Sequence, residues 1–567
     1  MRFLLLVLVF KLTSANYLDY PHPFHPTQSD KGMVVTQNYL SSDIGAEILS
    51  KGGNAVDAAV AIGFSLTATL PRAGNIGGGG FMLIYDAKNN TIVSLDFRSM
   101  APELASPNIY LNALKNNEHD YDKTRKGYKA IAVPGTVAGL LKAHETYGSL
   151  PLADLINPTI ALLKNGVPVT TDLYWAIQDT DFLKQDAEST EIYLNAEATI
   201  GGKIFNDDLV RTLELIRDKG REGFYGGEIA EKIEQAMLAN GGLIRKTDLA
   251  KYEADFAKPI STTYRNHTVF TMGAPSGGGV AILTSLNVLE NFSLYDFKAY
   301  TAQYLHLLAE SMKYGQQSRS KYIGDPRFNS IPMDRLLSKD YAKQKSKNIN
   351  LKRATNVDVL GKRLNSLDAN FVESKDTTHY SVVDVHGNAV SVTYTLGYSF
   401  GSGVTIAGTG ILGNNQMNNF SHEYGKSKLL RRSASPANKL EPFKRPMSTM
   451  APIIVFDDKN KLLLVTGSPG GSQIPNINLQ VLLNVLDFDM DIGEATMTPR
   501  IHQDSQNQEL LIEKTISPDT QRILGLYGHK LEISDTIGST QSIHIVDGKK
   551  YGYADQRRPN AKVSVEK

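Results

Sequence analysis

The sequence predicts a layered α+β fold, in which helices cover antiparallel β-sheet. Three observations support this class. Helical patterns come early in the chain and return late, strand patterns lie between them, and no linker or internal repeat divides the chain into independent units. A length of 567 residues is also sufficient for a large buried core.

Most of the predicted helices lie in the first part of the chain. One begins near residue 42 and ends at Gly52-Gly53, a typical helix stop. The next consists of small residues, which suits close packing against a sheet. Apolar residues at helical spacing predict the later helices. After the first helix, the predicted ranges are 54–69, 135–147, 152–165, 208–219, 227–240 and 300–318.

Short alternating or continuous apolar runs between turn residues predict the strands. The expected ranges are 81–85, 91–96, 378–383, 389–396, 452–456, 462–466, 510–513 and 542–546.

The third and fourth of these strands form a predicted hairpin, because residues 385–388 are typical of a turn. If His386 and Gly387 form a two-residue loop, Thr378 lies opposite Thr395. A strand register shifted by one or two residues is also compatible with the sequence. Either register brings a second threonine close to the start of the hairpin.

Two adjacent threonines, Thr377 and Thr378, stand at that start. A threonine hydroxyl is a poor nucleophile unless a base takes its proton, and an N-terminal threonine can use its own α-amine for this. Cleavage between Asp376 and Thr377 would create that amine. Residues 345–373 are polar and lack strand signals, which predicts an exposed linker just upstream. The sequence therefore indicates a precursor that makes its active site by cleaving itself.

Composition excludes several other classes of protein. The net charge is +1, and the short basic patch at 429–432 is better explained by a solvated loop than by nucleic-acid binding. There are no cysteines, so disulfides, thiol nucleophiles and thiolate metal sites are excluded. His22 and His25 are likewise assigned to a solvated loop. We predict neither a metal nor a cofactor.

The N-terminus resembles a secretory signal peptide over residues 1–15. Arg2 precedes the apolar run 3–10, and small residues follow. This run is shorter than the about 20 residues that span a bilayer. A buried N-terminal strand is the alternative, but Lys11 and a Pro/His-rich arm at 17–29 argue against it. A periplasmic or secreted bacterial protein is expected.

Two glycine-rich motifs match known patterns only superficially. Residues 397–401 have the G-x-S-x-G pattern of serine hydrolases, but no helix start follows, which that chemistry requires. Residues 74–80 run from helix to glycines to strand, the reverse of a phosphate-binding loop. We interpret the first as a loop and the second as close backbone packing.

Three further segments carry groups that acyl transfer needs. Residues 446–450 contain a hydroxyl pair, and residues 467–472 contain consecutive glycines whose N–H groups can hold an oxyanion. Arg98 ends a predicted strand, where it can clamp a carboxylate through two hydrogen bonds. A surface ion pair is the alternative for Arg98, and spacing alone does not decide between them.

In this order, the motifs resemble those of the γ-glutamyltransferase (glutathione hydrolase) proenzymes, in the N-terminal-nucleophile hydrolase superfamily. The similarity runs from about residue 38 to 567, and its signatures are residues 52–59, 74–81, 133–139, 377–381 and 467–472. The resemblance implies a four-layer αββα sandwich with two stacked, mainly antiparallel sheets. It also implies one domain built from a large subunit, 16–376, and a small subunit, 377–567, which form a heterodimer.

The resemblance also implies the chemistry. Thr377 cleaves the chain after Asp376 and then attacks γ-glutamyl amides such as glutathione, with its α-amine as base and Thr395 orienting it. The acyl group then passes to water, an amino acid or a peptide. The other matching positions are Gly470 and Gly471 for the oxyanion hole, Arg98, Ser448 and Thr449 for the α-carboxylate, and Gln416 for the α-amino group.

Two positions depart from the family pattern. Asn419 stands where an aspartate usually pairs with the substrate α-ammonium, and Gly397 stands where a side-chain donor is common. A neutral hydrogen bond is roughly half as strong as a charge-assisted one, and the expected loss of substrate discrimination is about 1–3 kcal/mol. We therefore expect weaker binding of γ-glutamyl donors and tolerance of glutaryl amides. Residues 423–444 also lack the glycine-rich lid sequence of many relatives.

Three alternatives remain from the sequence. One is a poly-γ-glutamate capsule transpeptidase or depolymerase, and another is a glutaryl-amide acylase of the cephalosporin type. The third is a binding protein that does not process itself, which the presence of Thr377, Thr395 and the Gly470-Gly471 pair disfavours.

Overall fold

The structure, a computed structural model, describes residues 25–112, 118–119, 122–357, 376–421, 423–424, 429–430, 435–505 and 507–567. The predicted signal peptide and His22 lie outside the described residues. Parts of the predicted arm at 17–29, the linker at 345–373, the basic patch at 429–432 and the segment 423–444 also lie outside them.

Two seven-stranded antiparallel sheets form the centre of the fold. Sheet I has the strand order Lys562–Val565, Met33–Thr36, Thr378–Val383, Ala389–Thr395, Gly79–Asp86, Thr91–Phe97 and Asp255–Ala257. Sheet II has the order Thr27–Ser29, Lys549–Ala554, Gln541–Val546, Leu462–Thr466, Ile453–Phe456, His267–Thr271 and Ile260–Tyr264. Both sheets combine strands from before residue 357 and after residue 376, so the two segments build one unit.

The sheets pack face to face, and helices cover their outer faces. Met33, Leu83 and Val383 of sheet I share one buried cluster with Ile454 and Val465 of sheet II. Separate clusters join each sheet to its helices. The predicted four-layer αββα sandwich is therefore confirmed.

The helices divide between the two outer layers. Those over sheet I include Tyr39–Ser50, Ala55–Thr69, Thr136–Tyr147, Leu152–Lys164, Asp207–Lys219 and Gly227–Ala239, and those over sheet II include Gly278–Leu289, Ala302–Tyr322 and Ile474–Leu486. Every helix predicted from the sequence is present, with ends that differ by four residues or fewer. Within the described ranges, no helix combines the length and the apolar character needed to cross a membrane.

Smaller elements complete the fold. The shorter helices are Asp122–Arg125, Thr171–Gln178, Ala187–Tyr193, Glu222–Tyr225, Lys246–Lys251, Leu294–Phe297, Met333–Leu336, Lys339–Ser346, Ile492–Met497 and Pro518–Leu526. A three-stranded sheet contains Ile501–Gln503, Glu509–Glu513 and Lys530–Ser534, and two-stranded pairs join Leu111–Asn112 to Glu118–His119, Val167–Pro168 to Lys203–Ile204, Thr405–Ile406 to Ile411–Leu412 and Glu423–Tyr424 to Leu429–Leu430. All the predicted strands are present.

The hairpin of Thr378–Val383 and Ala389–Thr395 is fixed to the helix Ala55–Thr69 beneath it. The Tyr380 hydroxyl donates to the carbonyl of Ala59 at 2.9 Å, and the Tyr394 hydroxyl donates to the carbonyl of Gly63 at 2.9 Å. The helix is buried along its whole length. A rigid support therefore holds the start of the hairpin.

The hairpin does not have the two-residue loop, and its register is shifted by one residue, within the range that the sequence left open. Thr378 pairs with Tyr394, and the backbone of Asp384 bonds to Asn388, which leaves a three-residue loop. Gly387 has a φ of +85°, and the Asp384 carboxylate accepts from the N–H groups of residues 386 and 388. These local bonds shift the register by one residue, so Thr377 rather than Thr378 lies beside Thr395.

Candidate active site

Thr377 lies at the end of sheet I, in contact with the second threonine that the sequence predicted. The Thr377 hydroxyl is 3.5 Å from the Thr395 hydroxyl. The Thr395 hydroxyl donates to the carbonyl oxygen of Asp376 at 2.9 Å and accepts from the N–H of Gly397 at 2.9 Å. The 3.5 Å separation is longer than an ordinary O–H···O hydrogen bond and has to shorten for proton transfer. One hydroxyl thus contacts both the candidate nucleophile and the candidate scissile carbonyl.

Arg98 lies at the same end of sheet I. Thr395 pairs with Gly79 and Gly80 pairs with Phe97, so the residue after Phe97 lies two strands away from Thr395. With a spacing of about 4.8 Å between strands, their backbones are about 10 Å apart. A small substrate can therefore bridge the two residues.

The Arg98 guanidinium is buried, with 2% of the residue exposed. Its Nη2 donates to Asn419 Oδ1 at 3.1 Å, and its Nε donates to the carbonyl of Pro446 at 3.3 Å. The Arg98 backbone N–H bonds to Asp96, which pairs with Arg445 at 2.8 Å. Burial raises the pKa of the Asp96 carboxyl, and the positive charge of Arg445 opposes this rise. Arg98 is therefore buried and hydrogen-bonded rather than part of a surface ion pair, and its role as a carboxylate clamp stays a prediction.

The hydroxyl pair, Ser448 and Thr449, begins two residues after Pro446, whose carbonyl accepts from Arg98. The Ser448 hydroxyl accepts from the N–H of Met450 at 3.1 Å, and the Thr449 hydroxyl donates to the carbonyl of Gly471 at 2.7 Å. This last bond joins the hydroxyl pair to the glycine loop at residues 467–472.

The glycine loop adopts a conformation that glycine favours. Gly470 has a φ of +136° and Gly471 a φ of +57°, and the helix Ile474–Leu486 begins shortly after them. Gly467, at the other end of the loop, packs so closely on the His379 ring that a Cβ would lie 2.3 Å from it. Burial lowers the pKa of His379 to about 3, so this ring is neutral at pH 7. The loop therefore lies next to the strand that starts after Thr377.

Gln416 is buried behind Thr395. Its Nε2 donates to the carbonyl of Thr395 at 2.6 Å. Among the described residues, its Oε1 has no hydrogen-bond partner. That oxygen is an acceptor suited to an ammonium group.

The structure explains why residue 397 is glycine in this chain. Gly397 has a φ of +113°, and a Cβ there would lie 2.1 Å from Asn415 Oδ1. That oxygen accepts from the N–H of Tyr398 at 3.0 Å. A side chain at position 397 requires a different loop, so this departure is built into the local backbone.

The residues around the Asp376 side chain were not predicted from the sequence. The Arg72 guanidinium pairs with the carboxylate of Asp376 and, at 2.9 Å, with that of Asp172. Burial lowers the pKa of Arg72, but these two carboxylates outweigh that effect and raise it. Thr377, Arg72 and Asp172 line one small cavity together with Arg558. The three partners lie 100 and 304 residues apart along the chain, so no local pattern could indicate them.

One group of side chains within the described ranges has the spacing of a metal site. The ligand atoms of His306, Glu310 and His529 lie within 4.8 Å of one another. The two rings hydrogen-bond to each other at 2.8 Å, and the Lys313 ammonium lies 2.7 Å from Glu310, where it opposes a further cation. Hydrogen bonding within the group accounts for this arrangement.

The structure brings the predicted site residues together in two connected sets. Thr377 contacts Thr395, which contacts Gln416; the other connected set is Arg98, Asn419, Ser448, Thr449, Gly470 and Gly471. Their individual roles stay predictions.

Known proteins are similar to this chain over nearly its whole length. The sequence model of the family described as Gamma-glutamyltranspeptidase matches residues 41–565. The glutathione hydrolase proenzyme of Escherichia coli (strain K12) is 41% identical over 539 residues, which are 94% of this chain and 92% of that protein.

Two solved structures are also similar. The crystal structure of cephalosporin acylase from Bacillus halodurans has a TM-score of 0.81 at 26% identity, over 95% of this chain and 96% of that chain. The crystal structure of Helicobacter pylori gamma-glutamyltranspeptidase has a TM-score of 0.55 at 37% identity, over 59% of this chain and 96% of that chain.

Proposed function

The chain belongs to the gamma-glutamyltranspeptidase family, and we propose that Thr377, exposed as an N-terminus by self-cleavage, is the nucleophile of its glutathione hydrolase activity. The observation that carries the proposal is the contact of Thr395 with both the Thr377 hydroxyl and the Asp376 carbonyl.

In the precursor, the Thr377 oxygen attacks the carbonyl carbon of Asp376. Its proton passes to the Thr395 hydroxyl as that hydroxyl gives its own proton to the carbonyl oxygen of Asp376, so that no charge builds up on Thr395. The C–N bond then breaks, and the nitrogen takes up the proton to become the α-amine of Thr377. Water hydrolyses the resulting ester, which leaves a carboxylate on Asp376 and a hydroxyl on Thr377.

In the mature enzyme the same oxygen attacks the γ-glutamyl amide. The α-amine accepts the hydroxyl proton and later donates it to the leaving amine. The N–H groups of Gly470 and Gly471 hold the oxyanion, and Arg98, Ser448 and Thr449 hold the α-carboxylate. The γ-glutamyl ester on Thr377 then passes to water, an amino acid or a peptide.

The proposal is tested by denaturing gel electrophoresis and intact-mass measurement of the purified protein. We expect two fragments, and the smaller should begin Thr-Thr-His-Tyr-Ser by N-terminal sequencing. A single uncut chain that still hydrolyses glutathione would show that Thr377 does not act through a new amine.

The subunits and the location follow from the same proposal. Cleavage makes a large subunit, 16–376, and a small subunit, 377–567, which stay together as a heterodimer because both sheets contain strands from each. Residues 1–15 are proposed as a signal peptide for a periplasmic or secreted enzyme.

A second candidate activity, glutaryl-amide hydrolysis, is favoured by the contact between Asn419 and Arg98. Asn419 is neutral, so it leaves the positive charge of Arg98 to a substrate carboxylate and offers no anion to a substrate ammonium. The similarity to the Bacillus halodurans cephalosporin acylase is in keeping with this. We propose that the enzyme accepts glutaryl amides as well as γ-glutamyl amides.

Asn419→Asp is expected to raise the preference for γ-glutamyl over glutaryl p-nitroanilide by about tenfold to a hundredfold in kcat/KM. A new carboxylate pairs with the α-ammonium, which contributes about 1–3 kcal/mol. Asn460→Asp, on an exposed turn, adds the same charge elsewhere and should leave the ratio unchanged. A strong γ-glutamyl preference in the unaltered enzyme that Asn419→Asp does not increase contradicts the proposal.

A further inference from the structure

The residue before the proposed cleavage site is held at two points. The carbonyl of Asp376 accepts from the Thr395 hydroxyl at 2.9 Å, and its carboxylate pairs with the Arg72 guanidinium. Two attachments on one residue restrict rotation about its backbone, which fixes the position of the scissile carbonyl.

Arg72 is itself fixed on several sides. Only 4% of the residue is exposed, and its second nitrogen pairs with Asp172, near the start of the helix Thr171–Gln178. Its backbone carbonyl accepts from the N–H of Phe400 at 2.9 Å, in the loop that follows Thr395. The anchor for Asp376 is therefore attached to the same part of the fold as the hydroxyl that contacts the scissile carbonyl.

The charges around Arg72 suit this role. Asp376 and Asp172 supply two negative charges, and Arg72 and Arg558 supply two positive ones, with Arg558 3.9 Å from Asp172. Removing one partner of a buried arginine destabilises the protein far more than removing a partner of an exposed arginine, because it leaves an uncompensated charge in the interior. The precursor is thus stabilised with Asp376 in place.

We propose that Arg72 is a positioning residue for self-cleavage, and that its ion pair with the Asp376 side chain holds the scissile carbonyl against Thr395. The inference rests on the proposed cleavage between Asp376 and Thr377. The inference adds that the rate of self-cleavage depends on the side chain of Asp376, although that side chain forms and loses no covalent bond in the reaction.

A purely structural role for Arg72 predicts different behaviour. In that case Arg72 supports the loop through Asp172 and Phe400, and removing it slows cleavage whatever residue stands at position 376. In the positioning role, the effects of Arg72→Gln and Asp376→Asn are coupled, because each removes the same ion pair.

The test follows cleavage of freshly translated chains over time on denaturing gels. Arg72→Gln and Asp376→Asn are each expected to slow cleavage by about tenfold to a hundredfold, the range of a charge-assisted hydrogen bond. The double variant should be no slower than the slower single variant. Arg72→Lys and Asp376→Glu keep the charges and should recover most of the rate.

The outcomes separate this inference from the proposed function. If the unaltered chain is never cut at position 376, the proposed function fails. If it is cut but Arg72→Gln is equally fast, or if the two single effects multiply in the double variant, only the inference fails. Melting of Arg72→Gln in a Thr377→Ala background shows whether the uncut fold is intact; a Tm within a few degrees of the Thr377→Ala parent is expected, and a collapse would assign Arg72 a structural role.

Discussion

Thr377→Ala is expected to give a single uncut chain with no measurable hydrolysis of γ-glutamyl p-nitroanilide. Alanine has no oxygen to attack the Asp376 carbonyl, so the N-terminal amine never forms. Both the nucleophile and its base are therefore lost together, and activity should fall by at least about 10⁴-fold. Gel electrophoresis and a p-nitroaniline release assay measure the two effects.

Thr377→Ser is the matched control, because it keeps the hydroxyl and removes only a methyl group. It should still be cut and should keep substantial activity. The Thr377→Ala chain should melt like a folded protein, since residue 377 lies at a sheet end and the hairpin is held through Tyr380 and Tyr394. Cleavage of Thr377→Ala at the same bond would rule out Thr377 as the attacking group.

The layered fold could be predicted because its elements carry local signals. The helix Ala55–Thr69 begins at Asn54, whose side chain accepts from the N–H of Val56 at 2.8 Å, directly after the Gly52-Gly53 stop. The register of the main hairpin could not be predicted to the residue. It depends on the Asp384 carboxylate folding back onto its own loop, which competes with a two-residue turn.

The residues of the candidate site were likewise only partly predictable from the sequence. Residues in compact motifs, such as Thr377 and the Gly470-Gly471 pair, are visible in the sequence. Arg72 is not, because it meets Asp376 and Asp172 only through the tertiary fold. The departure at Gly397 could be noticed in the sequence, but its cause, the nearby Asn415 amide, appears only in the structure.

Thr395→Val is expected to slow self-cleavage by about 10²–10³-fold. Valine matches the shape of threonine but removes the hydroxyl that donates to the Asp376 carbonyl at 2.9 Å. Loss of one donor to a developing oxyanion has an effect of this size in acyl transfer. The same change removes the acceptor that faces the Thr377 hydroxyl, so proton transfer from the nucleophile is slowed as well. A time course of cleavage measures the combined effect.

Thr395→Ser separates the hydroxyl from the methyl group and should be cut within a few-fold of the normal rate. If Thr395→Ser is slow and Thr395→Val is cut at the normal rate, packing of the methyl group matters and the hydroxyl does not. If Thr395→Val is slow in cleavage but its slowly formed mature enzyme has normal kcat/KM, the hydroxyl acts only on the Asp376 carbonyl. We expect a loss in both reactions, because the Thr395 hydroxyl touches the nucleophile as well as the scissile carbonyl, and the nucleophile is the group that the two reactions share.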